Sequence, residues 1–174
     1  LQLVCNMDFE DEETSTALAA HSYTSASIFH FAQGTLLVDD VSVAKVTNAS
    51  VAGDNALRID AFFIGTGGLK GEQEPNDFPT ITGSLTAEFA DPATFYDRYT
   101  SDTPAKLVLE FVGNNIASTY DETLRITVPE VHFTGETPKV GGPGVVNTTV
   151  PYEGAYDGTN PGVKIEYLSQ DVAT

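Results

Sequence analysis

The segment 124–133 alternates apolar and polar residues, and the alternation changes phase at Pro129. Large apolar residues occupy even positions before this proline and odd positions after it: Leu124, Ile126 and Val128, then Val131 and Phe133. Successive side chains of a strand point to opposite faces, so one extra residue moves every later side chain to the other face. Proline cannot donate to a ladder and belongs at an edge or a bulge. We expect a long strand with a bulge at Pro129, which either passes to another sheet, joins a neighbouring subunit, or merely kinks.

Similar alternation recurs along the chain. It predicts about eight or nine strands in the 174 residues, including one over 55–65 and one over 80–90, and Asp39-Asp40 can form a two-residue hairpin turn. With 41% apolar residues the chain can build a packed core. We therefore predict a mainly β protein, an antiparallel β-sandwich or partial barrel with one short helix.

The short helix is predicted in the segment ADPATFYDRYTS. Asp91 is a good N-cap and Pro92 suits the first helical position. Phe95, Tyr96 and Tyr99 form an apolar stripe that can dock on a sheet. A helix of this length needs such packing to persist.

Two segments are predicted to lie outside the sheet. Residues 1–27 begin with a strand-like segment followed by an acidic loop, and the β domain is expected over 28–174. Residues 65–78 are rich in Gly and charge and predict an exposed loop within that domain. Loops of such length in compact domains are usually functional or disordered.

The charge balance limits the function. The sequence has 25 acidic and eight basic residues, for a net charge of −17, which repels nucleic-acid phosphates. Solubility, calcium coordination and a surface that must not adhere to a polyanion remain as explanations. The acidic run Asp8–Glu13 is a weak candidate for calcium, although it lacks the spacing of a calcium loop.

The search for catalytic chemistry gives no site. The three histidines form no spaced metal pair, and the single cysteine excludes both an internal disulfide and a familiar zinc set. No nucleophile elbow or phosphate-binding loop occurs either. We expect no enzyme activity, no catalytic or metal residues and no cofactor, and no apolar run is long enough to span a membrane.

Several segments resemble the tail tube proteins of long-tailed bacteriophages. They are GTLLVDDVSV, NALRI before a Gly-rich loop, ITGSLTAEFADPATFYDRYT and LRITVPEVHFTGETPKVGGPGVVNTTVPYEGAYD, in that order. The resemblance covers about residues 28–168, and its motifs are structural. Family members are commonly longer, so an upstream part can be missing from this chain.

The resemblance implies a structural virion protein of the phage tail, assembled in the bacterial cytoplasm. Such subunits form hexameric rings that stack into a hollow tube, in which strands of neighbouring subunits complete an inner β-barrel. Duplex DNA passes through the lumen without specific binding. The implied partners are further copies of the chain and the tail terminator, tape measure and distal tail proteins.

The resemblance also suggests roles for particular residues. The polar sides of the alternating strands are candidates for lining the lumen: Thr82, Ser84, Thr86, Glu88, Glu110, Asn147 and Thr149. The charged residues of the loop 65–78 are candidates for assembly contacts: Lys70, Glu72, Glu74 and Asp77. Phe95, Tyr96 and Tyr99 are expected to pack the helix on the outer side of the sheet.

Two other interpretations of the function remain open at this point. An acidic β-sandwich with surface tyrosines could be a binding module for carbohydrate or calcium, although the sequence has no Trp. Alternatively, the chain could be another phage structural part, such as a baseplate or head-decoration protein.

Overall fold

The structure is a computed structural model that describes most of the chain, namely residues 2, 4–7, 28–43, 45–65, 67, 69–72, 74–88, 92–135 and 147–169. The chain divides into two compact units. One comprises Leu1–Ala26 with Asn55–Pro79, and the other comprises Ser27–Asp54 with Thr80–Thr174. The predicted acidic loop, the calcium candidate Asp8–Glu13 and the predicted cap Asp91 lie outside the described residues. Of the predicted N-terminal strand, residues 2 and 4–7 are described, and the prediction is wrong for them, because they are exposed and belong to no strand.

The larger unit contains one sheet of eight strands and, among the described residues, one α-helix. The strands are β1 (Gly34–Val38), β2 (Val41–Ser42), β3 (Val46–Asp54), β4 (Thr80–Glu88), β5 (Ala105–Ala117), β6 (Tyr120–Phe133), β7 (Asn147–Ala155) and β8 (Lys164–Leu168), and the helix is α1 (Pro92–Ser101). Their order is β2-β1-β5-β6-β7-β4-β3, with β8 also paired to β6, and every pairing is antiparallel. The predicted fold class, mainly antiparallel β with one short helix, is confirmed.

The hairpin between β1 and β2 turns at Asp39 and Asp40, as the sequence predicts. Both residues have positive φ, 50° and 66°, and the flanking residues Val38 and Val41 are paired. Two positive φ values are the signature of a tight hairpin turn that matches the twist of the strands. Asp39 also accepts a hydrogen bond from the backbone N–H of Lys106 (2.7 Å), which attaches the turn to the start of β5.

The bulge predicted at Pro129 is present in β6. Leu107 pairs with Val128 and Ala105 pairs with Val131, so three steps along β6 match two steps along β5. Val128 and Val131 are 1% and 0% exposed, which keeps both side chains in the core across the phase change. On its other edge, β6 pairs with β8 before the bulge and with β7 after it. The extra residue therefore accompanies an exchange of partner strands within one subunit.

The core lies on one face of this sheet. Its most completely buried large side chains are Tyr152, Leu85, Val128 and Val131. Phe95 of α1 joins them and meets the ring of Phe133 edge-on, with centroids 5.4 Å apart.

The smaller unit includes residues 55–79, which we call the arm and which are described except at positions 66, 68 and 73. Its chain runs out and then returns beside itself, and we call these two segments its legs. Backbone hydrogen bonds join them: the N–H of Gly71 donates to the carbonyl oxygen of Ala61 (2.7 Å), and the N–H of Arg58 donates to the carbonyl oxygen of Glu74 (2.9 Å). Among the described residues of the arm, strand-type pairing between the legs is limited to two isolated bridges, Leu57 with Pro75 and Phe62 with Lys70. The prediction of a sheet strand over 55–65 is therefore wrong. The apolar residues that suggested it are mostly exposed rather than buried: Leu57, Ile59 and Phe63 are exposed, and only Ala61 is buried.

Candidate functional site: the polar face of the sheet

The side of the sheet opposite the core carries short polar side chains on β3, β4 and β7. Directly paired residues of antiparallel strands lie on the same face. Ser50 pairs with Ser84, and their hydroxyls are 3.0 Å apart. Thr86 pairs with Thr149, and their hydroxyls are 3.1 Å apart. These cross-strand hydrogen bonds join the three strands into one hydroxyl-rich surface, which we call the polar face.

The lumen candidates selected by alternation lie together on this face. Thr82, Ser84, Thr86 and Glu88 alternate along β4 with the core residues Leu85 and Ala87. Across the pairing with β7, Glu88 is opposite Asn147 and Thr86 is opposite Thr149.

Glu110 reaches the same side of the sheet from β5. It alternates there with Leu107 and Leu109, which pack in or against the core. Alternation predicted which side chains of a strand share a face. The pairing register then brings the candidates of three separate strands onto one surface.

Both acidic lumen candidates are paired with a cation. Glu88 Oε1 is 2.7 Å from Lys45 Nζ. Glu110 Oε1 accepts hydrogen bonds from Arg125 Nε (3.0 Å) and Nη2. The sequence reasoning did not identify these cations. Arg125 lies at an odd position between Leu124 and Ile126, so the same alternation rule could have placed it on the polar face.

A groove of about 490 Å³ lies on this face between β1, β5, β6 and β8. Its described lining includes three cations, each paired with an acid. Lys106 Nζ is 2.6 Å from Asp40 Oδ1, and Lys164 Nζ is 2.8 Å from Glu166 Oε1. Arg125 makes the third pair, and in register it lies between Glu110 on β5 and Glu166 on β8. Hydrogen bonding from Lys164, followed by the charges of Lys164 and Arg125, lowers the pKa of Glu166.

A histidine surrounded by acids occupies the end of β6 after the bulge. His132 Nδ1 is 2.8 Å from Asp102 Oδ1, and Nε2 is 3.2 Å from Glu130 Oε1. Glu153 on β7 is the residue paired with His132 in the register of β6 and β7. Hydrogen bonds to Asp102 and then Glu130 raise the pKa of His132, which favours an imidazolium that donates to both carboxylates. The contact with Asp102 also attaches the end of α1 to the sheet.

The helix residues differ in burial. Phe95 is 9% exposed and packs on Phe133, whereas Tyr99 is 38% exposed and Tyr96 is half-buried. Burial therefore differs along the predicted apolar stripe, and only Phe95 of the three is inserted in the core.

The charged candidates of the arm lie along its return leg. Lys70 Nζ is 5.6 Å from the centroid of the Phe62 ring. Glu72, Glu74 and Asp77 are exposed. The arm also exposes large apolar side chains, which the sequence reasoning did not assign to assembly: Ile59, Phe62, Phe63, Ile64 and Phe78. Apolar clusters on a surface are typical of interaction sites.

In the described part of the chain, no group of three or more His, Cys, Asp or Glu is arranged to hold a metal ion. Asp157 accepts hydrogen bonds from the backbone N–H groups of Thr159 (2.8 Å) and Asn160 (2.6 Å), so its carboxylate is engaged within its own turn. No described helix has both the length and the apolar character needed to cross a membrane.

The described strands thus form a sheet with one core face and one hydroxyl-rich face. The family model for the phage tail tube protein matches residues 2–154, and the chain therefore belongs to that family. It is a structural protein of the phage tail, hence a component of the virion, and not an enzyme.

A solved structure with a similar fold is the tube-terminating cap of the anti-feeding prophage, determined by cryo-EM. The two chains are 12% identical with a TM-score of 0.54, and the match covers 89% of this chain and 98% of the cap. At this identity the likeness concerns the fold alone. No match was found among curated proteins.

Proposed function

We propose that copies of this chain assemble into stacked rings, with six subunits each, that form a hollow tail tube through which DNA leaves the particle. The observation that carries the proposal is the edge of β3. This strand of nine residues pairs with β4 on one side and with no other described strand. An uncharged strand edge of this length is a template for pairing with another chain.

The edge lies beside the polar face, and this suggests how a ring would be organised. Residues Val46–Asp54 carry no charged side chain before Asp54, so charge does not protect most of the edge. If neighbouring sheets pair through this edge, their polar faces form one continuous inner wall. The wall would carry Thr82, Ser84, Thr86, Glu88, Glu110, Asn147 and Thr149 toward the lumen.

Such a wall is suited to a passing polyanion. Hydroxyls offer no net charge to a phosphate, and the chain as a whole carries −17. At about 0.15 M salt the screening length is roughly 8 Å, so wall charges act only on DNA that comes close. We expect the wall to prevent adhesion rather than to guide DNA from a distance.

The arm is the proposed contact between successive rings or adjacent subunits. Its exposed Phe62, Phe63 and Ile64 supply apolar area, and Lys70, Glu72, Glu74 and Asp77 supply polar contacts. Tail terminator, tape measure and distal tail proteins would bind where the stack of rings ends, and assembly would take place in the host cytoplasm.

Electron microscopy of the purified chain tests ring formation. We expect rings or tubes from the unmodified chain and none from Ala52→Lys, which places a charge on the β3 edge. Thr82→Lys is the matched control, because it adds the same charge one strand further in and should preserve rings. Equal assembly by both variants would refute the role of the β3 edge. A monomer stabilised by calcium, or rings that never stack, would favour the binding-module or the decoration and baseplate alternatives.

Two further variants separate the lumen from the arm. Glu88→Lys and Glu110→Lys should assemble but slow DNA release, because each creates an unpaired cation cluster on the wall. Normal release from such tubes would argue against a lumen position. Deleting residues 65–78, or changing Phe62, Phe63 and Ile64 to Ser, should leave the sheet folded and prevent polymerisation.

A further inference from the structure

We propose that Asp40, Glu110 and Glu166 prevent the polar-face groove from binding the phosphates of duplex DNA, by pairing with each of its cations. The inference rests on the proposed function, because it assigns these acids a task in a tube that conducts DNA. Without them, Lys106, Arg125 and Lys164 would form a cationic groove on the wall.

The three cations are close enough to act together. All of them line one groove of about 490 Å³. Their side chains are 38%, 48% and 55% exposed, so a phosphate passing the wall can reach them. Lysine and arginine on a surface supply most of the affinity of proteins for duplex DNA, and arginine forks onto phosphate through two donors.

The acids occupy the donors that a phosphate would use. Arg125 Nε and Nη2 both donate to Glu110 Oε1, so this edge of the guanidinium is already engaged. Lys106 Nζ contacts both carboxylate oxygens of Asp40, at 2.6 and 2.7 Å. Lys164 contacts Glu166, which lies on the other side of Arg125 in the register of β6 and β8.

Stability alone is a weak reason for this arrangement. Exposed ion pairs contribute little to the free energy of folding, because solvent screens them and ordering two long side chains is costly. The arrangement instead gives each of the three described groove cations an acid, which leaves none of them open to a passing phosphate.

The test measures binding of the soluble chain to a short fluorescent DNA duplex. The variant E110Q/E166Q removes two negative charges and leaves Arg125 and Lys164 without their acids. The control E72Q/E153Q removes the same charge from two acids that make no ion pair with a described Lys or Arg. A third variant, E110Q/E166Q/R125Q/K164Q, restores the net charge and removes the exposed cations.

We expect only E110Q/E166Q to gain affinity, by at least about tenfold over the control. With two phosphates contacted and a slope of about −0.9 for each, its affinity should fall roughly sixtyfold over a tenfold rise in salt. The quadruple variant should behave like the unmodified chain. Equal binding by the two double variants, or no gain in E110Q/E166Q, would overturn the inference.

This assay does not require rings. Circular dichroism of each variant establishes that it is folded, and microscopy reports separately on assembly. A chain that forms tubes without the expected DNA binding would refute the masking role and leave the tube intact. A chain that shows the DNA binding but never assembles would refute the tube and preserve the masking chemistry.

Discussion

The hydroxyl of Tyr152 on β7 donates a hydrogen bond to the carbonyl oxygen of Ser50 on β3, 2.8 Å away, although β4 lies between the two strands. The bond passes over Gly83, which pairs with Tyr152 on one side and with Val51 on the other. A Cβ atom on Gly83 would lie 2.2 Å from the Ser50 oxygen and 2.3 Å from the Tyr152 hydroxyl. The tyrosine is 1% exposed, and its burial raises the pKa of the phenol. The absence of a side chain at Gly83 therefore permits this connection across three strands.

Gly83→Ala should lower the free energy of unfolding by roughly 2–3 kcal/mol, since it both overpacks the core and displaces the Tyr152 hydroxyl. Urea denaturation measures the change. Gly53→Ala is the matched control, because its new Cβ would meet nothing within 4 Å and should change stability by less than about 0.5 kcal/mol. Equal effects of the two substitutions would contradict the account.

Deletion of Pro129 should leave the chain folded. The deletion removes the extra residue of the bulge, so the two remaining steps along β6 from Val128 to Val131 match the two steps along β5 from Leu107 to Ala105, and Val131 and Phe133 stay on the core face. Pro129→Ala keeps the length of the bulge and should cost less than about 1.5 kcal/mol. Circular dichroism and limited proteolysis of the two variants measure folding. A deletion variant that fails to fold would mean that β6 needs the bulge itself in order to exchange β8 for β7.

The stability contributed by His132 should fall as the pH rises. Asp102 and Glu130 raise the pKa of this histidine in the folded chain. The contribution is fully present below about pH 6.5, the ordinary pKa of histidine, and is lost as the pH rises through the raised folded value. Thermal unfolding at pH 6 and pH 8 should show a larger difference between the unmodified chain and His132→Gln at pH 6. Asp102→Asn should weaken this pH dependence, and a difference that grows toward pH 8 would reverse the assignment.

Phe95→Ala should destabilise the larger unit by about 3 kcal/mol, because it removes a buried ring that packs on Phe133. Tyr99→Ala on the same helix should cost under about 1 kcal/mol, since that side chain is 38% exposed. Denaturant unfolding of the two variants measures the contrast. Similar losses would mean that α1 is attached along its whole stripe rather than by one residue.

Local pattern predicted much of the sheet but not the structure of residues 55–65 in the arm. The alternation of Thr82, Ser84, Thr86 and Glu88 with Leu85 and Ala87 correctly assigned the two faces of β4. The same reasoning gave a strand over 55–65 that does not join the sheet. The alternation in this segment shows only that apolar residues occur at every second position. It contains no information about whether another strand is available to pair with them.

The polar face was predicted only in part, because alternation within one strand does not show what lies beside it on the next strand. Each lumen candidate was chosen as the polar side of its own strand, and the structure places those sides on one face. The cations Lys106, Arg125 and Lys164 were not identified, because their significance lies in acids on other strands. Arg125 meets Glu110 through the register of β5 with β6, and meets Glu166 through the register of β6 with β8.

Local pattern was enough to predict the period of most strands, the tight turn at Asp39-Asp40 and the extra residue at Pro129, since these depend on neighbours a few positions away. The ordered motifs also indicated the tail tube family, which the family match confirms. The choice of partner strands, the exchange of β8 for β7 at the bulge of β6 and the acid beside each described groove cation became visible in the folded chain alone. Those outcomes depend on contacts between distant parts of the chain, and local periodicity cannot select among the possible pairings.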